Sequence, residues 1–445
     1  MDIKLFNSLT NKIEIFSPIK KGEVSMYVCG STVYDSPHIG NLRPMIVFDV
    51  LRRLFIYNGY KVTYVSNYTD VDDKIINKAI KENIDEMSVA NRYINEINEI
   101  IKNINNLPAT KNPRVTEYMD KIINYIDNLV KSNHAYVLDG DVYFRIKSIN
   151  DYGELSKINI DQLNIGARIE ENKGKESPLD FALWKKTDKG IKWKSPWGEG
   201  RPGWHTECCV MIDSIFNGEM IDIHGGGFDL KFPHHENEIA QAKATHNNKI
   251  AHYWIHNGFV TFDDNKMSKS LGNVILAKYA IKDYGANVVR LALLSSHYRA
   301  PVKFNQETLA MAKTEIEKMS STYNKLAVLL QKKLVDLSTQ NKANIENFVS
   351  SLADDLNISN ALSSLYDVMK SINNEMRNKV IDLNKLKDYF FMLKDMFSLL
   401  GFNIKYVNLT KDDYQLFKDY QTARDNKDYQ KSDEIRKILL EKHLI

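Results

Sequence analysis

The chain has 445 residues, 43% of them hydrophobic and 26% charged, with a formal net charge of +3. That length exceeds a single ordinary core and predicts about two to four domains. The near neutrality excludes a bulk electrostatic nucleic-acid binder but leaves room for a local basic groove.

The opening stretch, "MDIKLFNSLTNKIEIF", lacks a signal-peptide core. No apolar run approaches the roughly 18 residues that span a bilayer, so a cytoplasmic protein with no membrane partner is expected. "VSMYVCG" (24–30) is a short β-prone run ending in glycine, and "NLRPMIVFDVLRRLFIYNG" follows with helical spacing and stops at Gly59. "YKVTYVSNYTD" then reads as a second buried strand, which makes a βαβ crossover and implies a parallel sheet.

Residues 74–104 read as one long polar helix, and a helix over 116–132 leads into a hairpin around Asp139-Gly140, "HAYVLDGDVYFRI". The glycine- and tryptophan-rich "KWKSPWGEGRPGWHTECC" continues what looks like an insertion between two halves of the first domain. The sheet resumes at "EMIDIHGGG", and a helix is expected to start near Pro233, a natural first helical residue. "YWIHNGFVTFDDNKMSKSLGNV" predicts a strand or hairpin and a charged loop. From about 305 onward the apolar spacing is helical throughout, with basic and acidic residues nearly balanced.

Four features carry chemistry. The three cysteines, Cys29, Cys208 and Cys209, cannot make a disulfide framework, so metal binding, catalysis or core packing remain open. In "HGGGFDLKFPHHENEIAQAKATH", His234 and Glu238 fall four apart on one helix face, a workable ligand pair. The zincin pattern fails, because its second histidine position holds Ile239. Taken alone, an ordinary helix-surface pair is the commoner explanation.

"YVCGSTVYDSPHIGNLRP" places His38, Gly40 and Asn41 where a strand hands over to a helix. Free amides and the helix dipole favour phosphate there, although His38 and Asn41 would serve equally as caps. In "NKMSKSLGN", Lys266 and Lys269 flank small hydroxyl residues on a loop, suited to following a developing phosphate charge. Any random lysine pair would more often be a solvated loop.

Together H-I-G-N and K-M-S-K-S resemble the paired signatures of class I aminoacyl-tRNA synthetases. "NYTDVDDKII", "RPGWHTEC" and "DIHGGGFDLKFPHHENEIAQ" narrow the resemblance to the cysteinyl-tRNA synthetase family, in order over roughly residues 1–440. The resemblance implies an α/β fold: a Rossmann-type parallel-sheet catalytic domain with an insertion, followed by an all-α C-terminal bundle. Its expected divisions are 1–114 and 221–255 for the two Rossmann halves and 115–220 for the insertion. A stem-contact region with the lysine loop would follow over 256–305, and a tRNA anticodon-binding domain over 306–445.

The resemblance further implies one zinc ion on Cys29, Cys208, His234 and Glu238, with Cys209 a packing residue. Trp204 is expected to floor the amino-acid pocket, Thr69 and Asp229 to hold substrate or nucleotide, and His224 to cover the bound cysteine. His38, Gly40, Asn41, Lys266 and Lys269 are expected to act on ATP, which Mg2+ would accompany.

The implied reaction joins L-cysteine, through an adenylate, to tRNA(Cys), and a monomer is expected. A ligase passing the same adenylate to an amino sugar and a catalytically silent tRNA-binding paralogue are the alternatives. Asn41 stands where the class signature usually has histidine; it still donates a hydrogen bond but cannot carry a proton's charge. Family members usually continue past "DEIRKILLEKHLI" into a segment that helps bind the anticodon, so anticodon reading through this end is less secure than catalysis.

Overall fold

A computed structural model describes residues 1–158, 174–262, 265–266, 274–339 and 343–445. Its centre is a four-stranded parallel sheet of Glu23–Val28, Lys61–Val65, Ile221–Gly227 and Ala251–Asn257. Across the sheet these run in the order 251–257, 221–227, 23–28, 61–65. The chain therefore winds to one side of strand Glu23–Val28 first and to the other side later. The switch point lies between Glu23–Val28 and Ile221–Gly227, where open α/β sheets place their ligands, beyond the carboxyl ends.

Helix Ile39–Tyr57 covers one face, burying Ile46, Phe48, Leu51, Leu54 and Phe55. Gly225 lets it pack closely, since a Cβ there would lie 2.2 Å from the Phe48 ring. The segment 74–104 is two helices, Asp73–Glu82 and Glu86–Asn103, and not the single helix expected. Asn83 takes a left-handed conformation (φ 53°) and Asp85 caps the second helix through Ser88 N, so the break is built from an αL C-cap and a new N-cap.

The intervening segment forms helix Met119–Lys131 and a five-stranded antiparallel sheet. Its first hairpin pairs Ala135–Leu138 with Asp141–Phe144, and Asp139 and Gly140 both have positive φ, as a tight primed turn requires. The helix expected from Pro233 begins regularly only at Glu236. Before it, Lys231–His235 forms a π-type turn with extended Phe232 and a cis Phe232–Pro233 bond.

The C-terminal part is helical: Gln306–Lys332, Glu346–Ala353, Ile358–Glu375, Leu383–Leu400, Lys411–Asp425 and Tyr429–Glu441. Its core joins that of the sheet through residues such as Leu326, Phe390 and Phe397. The seam is also polar. Fully buried Arg290 is ion-paired with Asp49 and donates to the carbonyls of Leu400 (2.5 Å) and Ile104 (3.0 Å). Arg53 donates to Asp49 (2.8 Å) and to Ser398 O (2.8 Å). No helix among the described residues is long and apolar enough to cross a membrane.

Candidate active site

The carboxyl edge of the sheet gathers residues from far apart in the chain. Cys29 continues its strand by donating its amide to Gly225 O at 3.1 Å. Gly30 N donates to Asn67 Oδ1 at 2.9 Å, and a Cβ on Gly30 would lie 1.6 Å from Asn67 O, so only glycine fits. Helix Trp204–Phe216 brings in Cys208, and the turn into Glu236–His246 supplies His234 and Glu238, four apart as the spacing predicted.

Cys29 Sγ stands 3.6 Å from Cys208 Sγ, Cys208 Sγ 3.8 Å from His234 Nε2, and His234 Nε2 3.0 Å from Glu238 Oε1. Cys29 Sγ is 3.9 Å from Glu238 Oε1, and one ligand atom from each of the four residues lies within 4.8 Å of the others. A tetrahedral zinc with about 2.3 Å bonds to sulfur and about 2.0 Å to nitrogen sets its donors roughly 3.3–3.8 Å apart. Two thiols, one imidazole and one carboxylate at these separations fit that ion.

Charge at the cluster is compensated internally. A hydrogen bond from Cys29 lowers Cys208 to about 6, while burial pushes Cys29 up. Burial alone would lower His234, but Glu238 and Cys208 outweigh it and raise it to about 10. Burial would raise Glu238, yet His224 and His234 hold it well below the usual carboxylate range.

Trp204, 42% exposed, stacks on the His234 ring at 4.3 Å. His205 Nδ1 lies 3.1 Å from His234 Nδ1 and orients that ring from behind. His224 is fully buried, with Nδ1 3.1 Å from Tyr27 O and Nε2 2.7 Å from Glu238 Oε2. In this position it steadies Glu238. Thr69 is buried too, donating to Glu207 Oε2 at 3.1 Å and accepting from Asn67 Nδ2 at 3.3 Å. Cys209 faces a separate small pocket with Tyr125 and Ile212.

In front of the cluster opens a cleft of about 500 Å³ lined by Cys29, His38, Gly40, Asn41, Trp204 and Asp229, among others. His38 caps helix Ile39–Tyr57 by accepting from Gly40 N at 3.0 Å, and Asn41 Oδ1 accepts from His38 N at 3.0 Å. The capping alternative therefore holds, and the same capping box lines the cleft. Lys266 lies on the short strand Asn265–Lys266, opposite Thr261. Lys269 lies outside the described residues.

Sequence reasoning passes over Asn67, His205, Glu207, His235 and His256. Asn67 follows the strand Lys61–Val65 just as Cys29 follows Glu23–Val28. Position after a parallel strand is the available signal.

The family model for the catalytic domain of class I (C) tRNA synthetases matches residues 15–314, and the DALR domain model matches 347–405. The cysteine–tRNA ligase of Staphylococcus haemolyticus is 45% identical over 453 residues, covering 100% of this chain and 97% of the relative. That of Oceanobacillus iheyensis is 44% identical over 456 residues, with the same coverage. Among solved structures, Mycobacterium tuberculosis methionyl-tRNA synthetase in complex with methionyl-adenylate shares the fold (TM-score 0.60, 11% identity) over 85% of this chain and 89% of that one. Thermus thermophilus arginyl-tRNA synthetase does so with a TM-score of 0.53 and 10% identity over 89% and 84%. Sheet, cleft and family match together define a class I tRNA synthetase. Within that class, the chain belongs to the cysteine–tRNA ligase family.

Proposed function

We propose that this chain charges tRNA(Cys) through a cysteinyl-adenylate made in the cleft, with Cys29, Cys208, His234 and Glu238 holding a zinc ion at its base. The ligase activity itself follows from membership of the family. The single observation that carries the residue-level reading is the meeting of those four donors, drawn from three places in the chain, at the back of a nucleotide-sized cleft.

When bound, zinc supplies a Lewis acid that prefers a soft thiolate over a serine hydroxyl. A missing methyl group would separate competing amino acids by only about 1–3 kcal/mol. Trp204 walls the amino-acid end of the cleft, and His205 and His224 keep His234 and Glu238 in place. The capping box of His38 and Asn41 brings the first turn of helix Ile39–Tyr57 to the ATP phosphates, where the positive end of the helix dipole favours an anion. With Asn41 Oδ1 engaged by His38 N, its side-chain amide NH2 is the group left to donate to phosphate.

The cysteine carboxylate attacks the α-phosphorus and pyrophosphate leaves with the bond electrons, with magnesium accompanying the ATP. Lys266 and Lys269 stabilise the charge that gathers on the phosphates. The 2'-hydroxyl of the terminal adenosine then attacks the cysteinyl carbonyl and AMP departs. Positioning and electrostatics supply most of the acceleration. The DALR match over 347–405 and the coverage of whole cysteine–tRNA ligases favour tRNA over an amino sugar as acceptor.

The test is aminoacylation of a tRNA transcript carrying the GCA anticodon, run beside cysteine-dependent ATP–pyrophosphate exchange. Both activities are expected. Exchange without charging would sink the tRNA assignment, and absence of both from metal-loaded protein would sink the assignment of the two loops.

A further inference from the structure

Behind Cys29 runs a line of buried polar side chains that the proposed chemistry leaves unused. Ser8 Oγ lies 2.8 Å from His256 Nδ1, His256 Nε2 lies 2.8 Å from His235 Nδ1, and His235 Nε2 lies 3.4 Å from Cys29 Sγ. Ser8, His256 and His235 are only 6%, 5% and 0% exposed. They come from the turn after strand Lys4–Asn7, from strand Ala251–Asn257 and from the turn Lys231–His235. Burying three polar groups from three elements is costly unless each is satisfied by the next.

Metal binding at Cys29 leaves the line only one arrangement of protons. A metal-bound thiolate has no hydrogen to give, so His235 Nε2 must carry one toward the sulfur. Its Nδ1 is then an acceptor, and His256 Nε2 carries the next hydrogen. His256 Nδ1 in turn accepts from the Ser8 hydroxyl. In this pattern each imidazole donates through one nitrogen and accepts through the other, so each carries a single hydrogen.

We infer that Ser8, His256 and His235 are positioning residues for the metal centre, a one-way hydrogen-bond relay that delivers an N–H to the Cys29 thiolate. The relay fixes the sulfur's direction, as outer partners of metal ligands do, and because its N–H is donated to the sulfur it draws electron density away from the metal. Ser8 sets its polarity from the far end. The inference rests on Cys29 being a metal ligand, as proposed above.

The test loads the metal-free chain with Co2+ and reads the thiolate-to-metal charge-transfer band, with affinity measured by chelator competition. Ser8→Ala and His256→Leu are expected to move the band to longer wavelength and to weaken Co2+ binding about tenfold, the lower end of what outer-partner changes cost. Ser8→Thr, which keeps the hydroxyl, should restore both. Melting of the metal-free variants separates these effects from misfolding, and if His256→Leu does not fold, Ser8→Ala decides. An unmoved band and unchanged affinity in folded Ser8→Ala would overturn the relay while leaving the metal site standing. Failure of the parent chain to take up Co2+, or a Cys29→Ser band identical to the parent's, would overturn the metal site and the relay with it.

Discussion

The carboxyl edge of the sheet and the C-terminal bundle are both buried, but they bury different things. The edge encloses His224, His234, His235, Glu238, Glu207 and Asn67, each satisfied by a partner from another element. The bundle encloses mainly leucine, phenylalanine and methionine, with stacked pairs such as Tyr323 and Phe390, ring centroids 4.8 Å apart. In the bundle, volume and apolar area hold the structure together. At the edge, correct pairing does so, and an error there leaves an orphaned polar group as well as a hole.

The sharpest way to break the comparison is to remove a donor. Cys208→Ala should abolish stoichiometric zinc, read by metal analysis, and reduce cysteine-dependent exchange by more than about 100-fold, beyond the range for outer partners. Retained metal in that variant would break the site. Next comes the seam between the two regions. Asp49→Ala leaves the fully buried Arg290 charge uncompensated and should cost about 3–5 kcal/mol in urea unfolding.

Within the bundle, Leu365→Ala should cost about 2–5 kcal/mol through a cavity, with exchange at 25 °C unchanged. An equal loss of exchange would show that the bundle shapes the cleft. The smallest effect lies at the start of helix Lys411–Asp425. A hydrogen bond from Lys442 and the cap contacts of Thr410 hold the Asp413 carboxyl at about 2, below its usual 3.8. That stabilisation is present above the unfolded value and is lost as pH falls from about 4 toward 2. Lys442→Met should therefore flatten the melting temperature's dependence on pH in that window.

Much of the molecule is legible in the sequence where local chemistry dominates. The βαβ start, the Asp139-Gly140 hairpin and the four-residue spacing of His234 and Glu238 all follow from period and turn residues. The break at Asn83 is hidden because asparagine is only a mild helix breaker until it adopts an αL cap, and that cap depends on the N-cap of the next helix at Asp85. Pro233 misleads for a related reason: a residue suited to a helix start is used in a π-type turn before one. Ser8 and His256, 248 positions apart, meet only because the N-terminal hairpin of Lys4–Asn7 and Lys12–Ile15 docks on the edge strand Ala251–Asn257, and no periodicity encodes that contact.

Trp204 has one more consequence. It is exposed, stacks on His234 and lines both the main cleft and a neighbouring recess of about 450 Å³ shared with Thr32, Lys74, Tyr143 and Lys185. Closer to the sheet there is no such room, since a Cβ on Gly30 would lie 1.6 Å from Asn67 O and one on Gly225 2.2 Å from the Phe48 ring. Any attempt to re-engineer this enzyme for a bulkier thiol substrate should therefore begin at Trp204, where trimming the indole would merge two existing spaces and leave the backbone alone.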